Sequence, residues 1–125
     1  MDIITVYVCE SQPIVIEGLN RALDGHDELQ LVGSSQSIAE ALEAIGAIQP
    51  NIILLDQTAN NKAAFDLIPK IRLLSLHSHA ILWVTNVTEV ESFRALQSCV
   101  RGILKKTLPV SFIIECLCAV GRGNI

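Results

Sequence analysis

The sequence has 125 residues, and because domains usually contain roughly 100–200 residues, we expect a single domain. Half of the residues are hydrophobic and 18% are charged, which excludes a disordered chain, and an aromatic fraction of 4% predicts an aliphatic core. The formal net charge is -4 and no basic stripe is present, so this chain alone is not expected to bind nucleic acid or an anionic membrane. No apolar run approaches the roughly 18 residues of a membrane span and no leader is recognisable, so we expect a cytoplasmic protein.

Five short apolar runs, rich in β-branched residues, predict β-strands at residues 3–9, 29–33, 51–56, 80–85 and 102–105. The segments between the strands have helical periodicity. Pro13 is expected to open the first helix and Gly25 to follow its end. Ser37, with Glu40 three residues later, predicts a capping box at the start of the second helix. The sequence therefore repeats a strand followed by a helix five times.

This alternation predicts the fold class. Strands that alternate with helices pair in parallel through right-handed crossovers, and the central runs are apolar on both faces, as buried parallel strands are. We therefore predict an α/β protein with a doubly wound (βα)5 topology, in which a five-stranded parallel sheet is the middle of three layers. In such folds the functional site lies beyond the carboxyl ends of the strands.

Polar residues gather at those strand ends. Glu10 and Ser11 follow the first strand, Asp56 ends the third, Thr85 ends the fourth and Lys106 follows the fifth. A carboxylate that ends an apolar strand is partly desolvated, so Asp56 needs compensation by a divalent cation held with Glu10 or by the ammonium of Lys106. The same partners would neutralise a phosphoryl group attached to Asp56.

Each of these residues also has a purely structural interpretation. Asp56 could be an aspartate of a turn or of a helix cap. Thr85 could belong to the start of the fourth helix. Lys105 and Lys106 point to opposite faces of a strand, so only one can face the pocket, and both could instead be solvated.

Over essentially its whole length the chain resembles the receiver domains of LuxR-type (NarL/FixJ-like) two-component transcription factors. Three segments carry the resemblance, at residues 10–19 (ESQPIVIEGL), 50–56 (PNIILLD) and 101–106 (RGILKK). The resemblance implies a flavodoxin-like (CheY-like) fold, with Asp56 as the phospho-acceptor and Glu10 as the first acidic position of a Mg²⁺ pocket. It further implies that Thr85 and Lys106 contact the phosphoryl group.

Two positions depart from the family's pattern. Ser11 stands where the family usually has a second acidic ligand, and because a neutral hydroxyl replaces a charged group there, we expect weak Mg²⁺ binding. Ile103 stands where the family often has a switch aromatic, so the usual coupling of a threonine to a rotating ring cannot operate in that form. The backbone carbonyl of Thr58 would be the remaining metal ligand, since a carbonyl does not depend on residue type.

Three functions remain open at this point. The leading hypothesis is a signalling domain, not an enzyme, in which a sensor histidine kinase donates a phosphoryl group to Asp56. The alternative is a degenerate receiver that acts as a phosphorylation-independent dimerisation or interaction module, which Ser11 and Ile103 both favour. A metal-dependent phosphatase with an Asp-x-Asp pair is third, and Thr58 argues against it. A flavodoxin-like cofactor binder is disfavoured because residues 10–13 contain no glycine and carry a carboxylate.

The last predicted helix, within residues 109–120, is apolar nearly all round. Such a helix is either covered by another chain or an attached domain, or belongs wholly to the core. In the family that the chain resembles, the first and last helices often form a dimer surface, to which Ile14, Val15 and Leu19 would contribute, so we expect a homodimer. We assign residues 1–121 to the receiver and residues 122–125 to the start of a linker, with DNA bound only through a C-terminal domain.

Overall fold

The structure is a computed structural model that describes residues 3–56, 61–75, 77–86, 88–90, 93, 97 and 100–123, without the side chains of residues 38 and 61–67. Strands and helices alternate along this part of the chain. The elements are β1 (Ile4–Cys9), α1 (Pro13–Asp24), β2 (Leu29–Ser35), α2 (Ile38–Ile48), β3 (Ile52–Asp56), α3 (Asn61–Leu74), β4 (His79–Val84), β5 (Gly102–Lys105) and α4 (Val110–Gly121). Between β4 and β5, residues 89, 90, 93 and 97 are also helical.

The five strands form one parallel sheet in the order β2-β1-β3-β4-β5. The predicted doubly wound α/β fold is therefore confirmed. The winding reverses between the neighbouring strands β1 and β3, so the switch point of the sheet, where α/β proteins place their sites, lies at the carboxyl ends of these two strands.

Two apolar cores cover the two faces of the sheet. On one face, α1 and α4 pack over side chains such as Val6, Leu54 and Trp83. On the other face, α2 and α3 pack over the alternate side chains, such as Ile53 and Leu82. Because successive side chains of a strand point to opposite faces, β1, β3, β4 and β5 each contribute to both cores, which explains the continuous apolar runs of the central strands.

The local signals in the sequence act where they were expected. Pro13 is the first residue of α1, and Gly25 is its C-cap. The Ser37 hydroxyl accepts the backbone N–H of Glu40 at 3.3 Å, which satisfies one free donor at the start of α2. Among the described helices, none is long and apolar enough to cross a membrane.

Two sequence expectations are corrected. Leu19 was expected on a surface patch of α1, but it is buried against the sheet because it shares the inward face of the helix with Leu23. The last helix was expected to be apolar beyond its core stripe, yet most of its apolar residues are buried, and the exposed ones are Val110 and Phe112 near its start. The surface patch is therefore smaller than the sequence indicates.

Candidate functional site

Two neighbouring strands bring the acidic residues together. Cys9 and Leu55 are register partners in β1 and β3, so the next residue along each segment, Glu10 or Asp56, lies at the same end of the sheet. Lys106 follows β5, and its backbone N–H donates to the carbonyl of Val84 at 2.7 Å, which directs this part of the chain along the end of β4. The predicted gathering of polar groups at one edge of the sheet thus has a direct cause in the parallel register.

The Lys106 ammonium lies between the two carboxylates. Its Nζ is 2.6 Å from Glu10 Oε1 and 2.9 Å from Asp56 Oδ1. The side chains of Glu10, Asp56 and Lys106 are 0%, 4% and 10% exposed. Carboxylates at this depth lose hydration, and the ammonium compensates them, although two carboxylates and one ammonium still leave one net negative charge. The neighbouring Lys105 is exposed.

Both carboxylate oxygens of Glu10 are engaged. The indole Nε1–H of Trp83 donates to Oε1 at 3.1 Å, and the backbone N–H of Gln12 donates to Oε2 at 3.0 Å. Lys106 shares Oε1 with the indole, and its ammonium lies 6.0 Å from the centre of the Trp83 ring. These contacts hold Glu10 in one orientation at the base of the pocket.

Trp83 was not among the residues expected at the site, because a tryptophan inside a buried strand usually indicates core packing. The ring is indeed buried, but its N–H reaches the acidic pocket. The sequence carried only a partial signal, because a buried indole N–H needs an acceptor but the sequence does not say which one. The structure supplies the reason for the choice, since Trp83 is the register partner of Asp56 in the adjacent strand and so lies beside the acidic pocket.

Ser11 donates to Asp56. Its hydroxyl lies 3.2 Å and its backbone nitrogen 3.4 Å from Asp56 Oδ2. A carboxylate at position 11 would meet Asp56 as a like charge, whereas the serine hydroxyl stabilises the negative charge of Asp56. This position therefore supplies a hydrogen bond where the family pattern supplies a metal ligand.

The remaining predicted residues lie around this centre. Thr85 follows β4 at the same edge of the sheet and is exposed. Ile103 is half-buried in β5 and packs against the core under α2 and α3. Thr58, whose carbonyl was expected as a metal ligand, lies outside the described residues.

The pocket offers oxygen donors to a cation. Within the described ranges, no group of three or more histidine, cysteine or acidic side chains could hold a metal ion. The oxygens present are those of Glu10, Asp56 and Ser11, and Mg²⁺ prefers such oxygens and is commonly held by one or two carboxylates. The chemistry fits Mg²⁺, but with one carboxylate fewer than the family's pattern.

Cys9 borders the pocket on the side of α2. Burial raises the pKa of the Cys9 thiol, the side chain of Ser35 lowers it in part, and the negative charges of Asp56 and Glu10 raise it further. Since only the thiolate is a good nucleophile, Cys9 is a packing residue at this site and not a reactive one.

The chain is similar to known regulators. No protein-family model matches it. It is 28% identical over 124 residues to Probable transcriptional regulatory protein NarL of Mycobacterium tuberculosis, and the match covers 98% of this chain and 57% of that protein. It is 30% identical over 108 residues to a protein-glutamate methylesterase/protein-glutamine glutaminase of Syntrophus aciditrophicus, a match that covers 82% of this chain but 30% of that enzyme.

A solved structure resembles the whole chain. The signal receiver domain of the Mycobacterium tuberculosis response regulator NarL superposes with a TM-score of 0.84 at 25% identity, covering 99% of this chain and 100% of that domain. Both the sequence match and the structural match run from one end of the fold to the other, so the chain has the receiver fold and is similar throughout to the receiver domain of a NarL-type response regulator.

Proposed function

We propose that Asp56 accepts a phosphoryl group from a sensor histidine kinase and that the phosphorylated domain controls an attached DNA-binding output domain. The observation that carries this proposal is the contact between Lys106 and Asp56, at 2.9 Å, in a pocket closed on its inner side by Glu10. An ammonium at this distance from Asp56 can also form an ion pair with the oxygens of a phosphoryl group attached there, because their negative charge would lie close to that of the original carboxylate.

The proposed transfer is a displacement at phosphorus. An oxygen of Asp56 forms a bond to phosphorus while the bond from phosphorus to the kinase imidazole nitrogen breaks, and the electron pair of that bond stays on the nitrogen. The product is an aspartyl phosphate and a neutral histidine. Lys106 stabilises the negative charge on the transferred group, and the Ser11 hydroxyl, 3.2 Å from Asp56 Oδ2, is a further donor.

Mg²⁺ is the proposed cofactor, held by the carboxylates of Asp56 and Glu10 with the backbone carbonyl of Thr58 as a further ligand. Bound there, it would neutralise charge on the phosphoryl oxygens. We expect its affinity to be low. Position 11 supplies a hydroxyl, and both oxygens of Glu10 already accept hydrogen bonds or the Lys106 ammonium.

The test is incubation of the domain with Mg²⁺ and acetyl phosphate, followed by intact-mass measurement. Wild type should gain one phosphoryl group and Asp56→Asn should gain none. Asp24→Asn is the matched control, because Asp24 ends α1 and is exposed. Absence of any adduct from folded wild type at high Mg²⁺ would contradict the proposal and leave a phosphorylation-independent interaction module in its place.

We further propose that the domain forms a homodimer through α1 and α4. The two helices pack side by side on one face of the sheet, and their exposed apolar residues include Ile14 and Phe112, which are 78% and 59% exposed. Sedimentation of wild type should show a dimer that Ile14→Lys or Phe112→Lys abolishes. Leu73→Lys is the control, since Leu73 is equally exposed but lies on α3. Dimers that persist in both variants would contradict this surface.

The proposal for the whole protein rests on its relatives. The chain spans 57% of the length of the NarL regulator that it matches. We propose that residues 1–121 are the receiver, that residues 122–125 begin a linker, and that a DNA-binding domain follows in a cytoplasmic transcription regulator. Under this proposal the chain acts in signalling and not as an enzyme, and DNA is bound through the output domain.

A further inference from the structure

A cavity of about 430 Å³ lies at the edge of the sheet opposite to Asp56. It is enclosed by the second half of α3, the start of β4 and the residues that precede β5. Part of its wall is apolar and part is basic, and the residues that form it include Ile68, Ile71, Val100, Arg72, His79 and Arg101. The cavity is separate from the proposed phosphorylation pocket, because it lies at the amino ends of the same strands.

Arg101 has an unsatisfied donor at this cavity. Its backbone N–H donates to the carbonyl of Ala80 at 2.8 Å, which fixes the residue beside β4. Its side-chain Nε is buried and has no hydrogen-bond partner within the described residues. Because a buried guanidinium N–H without an acceptor is costly, such a group in a folded protein calls for an acceptor that the chain does not itself supply.

The cavity is also electropositive. Arg72 and Arg101 both line it, and the lining residues that the structure describes include no carboxylate. Burial lowers the pKa of His79, and the positive charge of Arg101 lowers it further. The effect of Arg101 on the imidazole is consistent with a positive potential in the cavity. Ser78 donates its hydroxyl hydrogen to the carbonyl of Pro50, so that hydrogen is not available to a ligand. The charged donors among the described lining residues are the two guanidinium groups.

We propose that this cavity binds a small organic oxyanion, with the anionic group on Arg101 and Arg72 and an apolar body against Ile68, Ile71 and Val100. A guanidinium matches the geometry of a carboxylate or phosphate group, and two of them lining one cavity favour such a group. The apolar wall favours an organic anion over an inorganic one, because only an organic anion has an apolar part that can pack against it. This site is independent of Asp56, so its failure and the failure of the proposed phosphorylation are distinct results.

The test is an NMR titration of the domain at constant ionic strength with phenylphosphonate, benzoate and inorganic phosphate. Phenylphosphonate is chosen because its phosphorus–carbon bond prevents transfer to Asp56. We expect saturable shifts at the amides of His79, Ala80 and Arg101 and at the Arg101 Nε–H. The aromatic anions should bind roughly tenfold more tightly than phosphate, and the tighter of the two identifies the preferred anionic group.

Charge-removing variants locate the site. Arg101→Gln and the milder Arg72→Gln, at an exposed residue, should each weaken binding by roughly tenfold or more. Arg21→Gln, which removes an exposed charge from α1, should leave binding unchanged. Shifts that do not saturate, affinities unaltered in both variants, or inorganic phosphate that binds as tightly as the aromatic anions would each overturn the proposal.

Discussion

The hydrogen bond between Trp83 and Glu10 allows a quantitative prediction. Trp83→Phe keeps an aromatic ring in the core but removes the donor that lies 3.1 Å from Glu10 Oε1. Hydrogen bonds to charged groups stabilise proteins by about 1.5–3 kcal/mol. The phenyl ring is smaller than the indole that it replaces and leaves a cavity, so we expect the free energy of unfolding to fall by about 2–4 kcal/mol in total. That is a large share of the ~5–15 kcal/mol of a typical domain.

The measurement is urea unfolding followed by far-ultraviolet circular dichroism, because Trp83 is the only tryptophan and cannot report on its own absence. With a slope of about 2 kcal/mol per molar urea, in the middle of the usual range for small domains, the midpoint should fall by about 1–2 M. The cavity left by Trp83→Phe costs the same whether residue 10 is Glu or Gln. Comparing the cost of Trp83→Phe in wild type with its cost in Glu10→Gln therefore isolates the contribution of the hydrogen bond to the charged carboxylate.

In Glu10→Gln the acceptor is neutral, and the cost of Trp83→Phe should decrease by about 1 kcal/mol or more. The reasoning is refuted if Trp83→Phe costs the same in both backgrounds, because the tryptophan would then stabilise the domain through packing alone. It is also refuted if the cost in wild type is below about 0.5 kcal/mol, the scale of a surface substitution.

Three further predictions follow from single residues. Ser11→Asp adds a carboxylate beside Asp56, and Mg²⁺ affinity, measured by titration calorimetry, should rise by about tenfold or more; unchanged affinity would contradict a metal site at this edge. Gly121→Ala should lower the free energy of unfolding by about 1–3 kcal/mol, because its Cβ would lie 2.5 Å from Ile4 Cγ2. Gly102→Ala is the control, because a Cβ added at Gly102 would meet no neighbouring side chain or strand within 4 Å, and it should be nearly neutral in the same urea experiment. The lowered pKa of His79 means that the folded state resists its protonation, so this contribution to stability is complete above pH 6.5 and is lost as the pH falls through the folded pKa. Unfolding curves should therefore show a smaller loss of stability for His79→Asn than for wild type between about pH 7 and 5, and equal losses would contradict the burial argument.

The sequence predicts the fold well because the fold depends on signals that are local. The apolar runs of buried parallel strands and the caps at Pro13 and Ser37 are read from a few adjacent residues. The predicted strand at residues 80–85 is β4 (His79–Val84) in the structure, displaced by one residue at each end. His79 lies just outside the predicted strand, but its backbone N–H donates to the carbonyl of Asn51 at 2.8 Å, a hydrogen bond that depends on the neighbouring strand.

The site was predictable in part for the same reason. Asp56 and Glu10 are marked by their place at the ends of apolar strands, and parallel topology brings such ends together. The contact of Trp83 with Glu10 joins residues 73 positions apart and depends on side-chain orientation, so no local pattern contains it. The cavity at Arg101 likewise depends on how α3 packs against β4 and β5, including its passage through Pro69, a residue that usually signals a helix end.

The central claim is that Asp56 itself carries the phosphoryl group. An acyl phosphate is reduced by borohydride to an alcohol, so treatment of the acetyl phosphate-labelled domain followed by peptide sequencing in a mass spectrometer marks the modified carboxylate. The account predicts homoserine at position 56 and unmodified carboxylates at Glu10 and at the exposed Asp24. Reduction at Glu10 or Asp24, or an adduct that resists borohydride, would contradict the account.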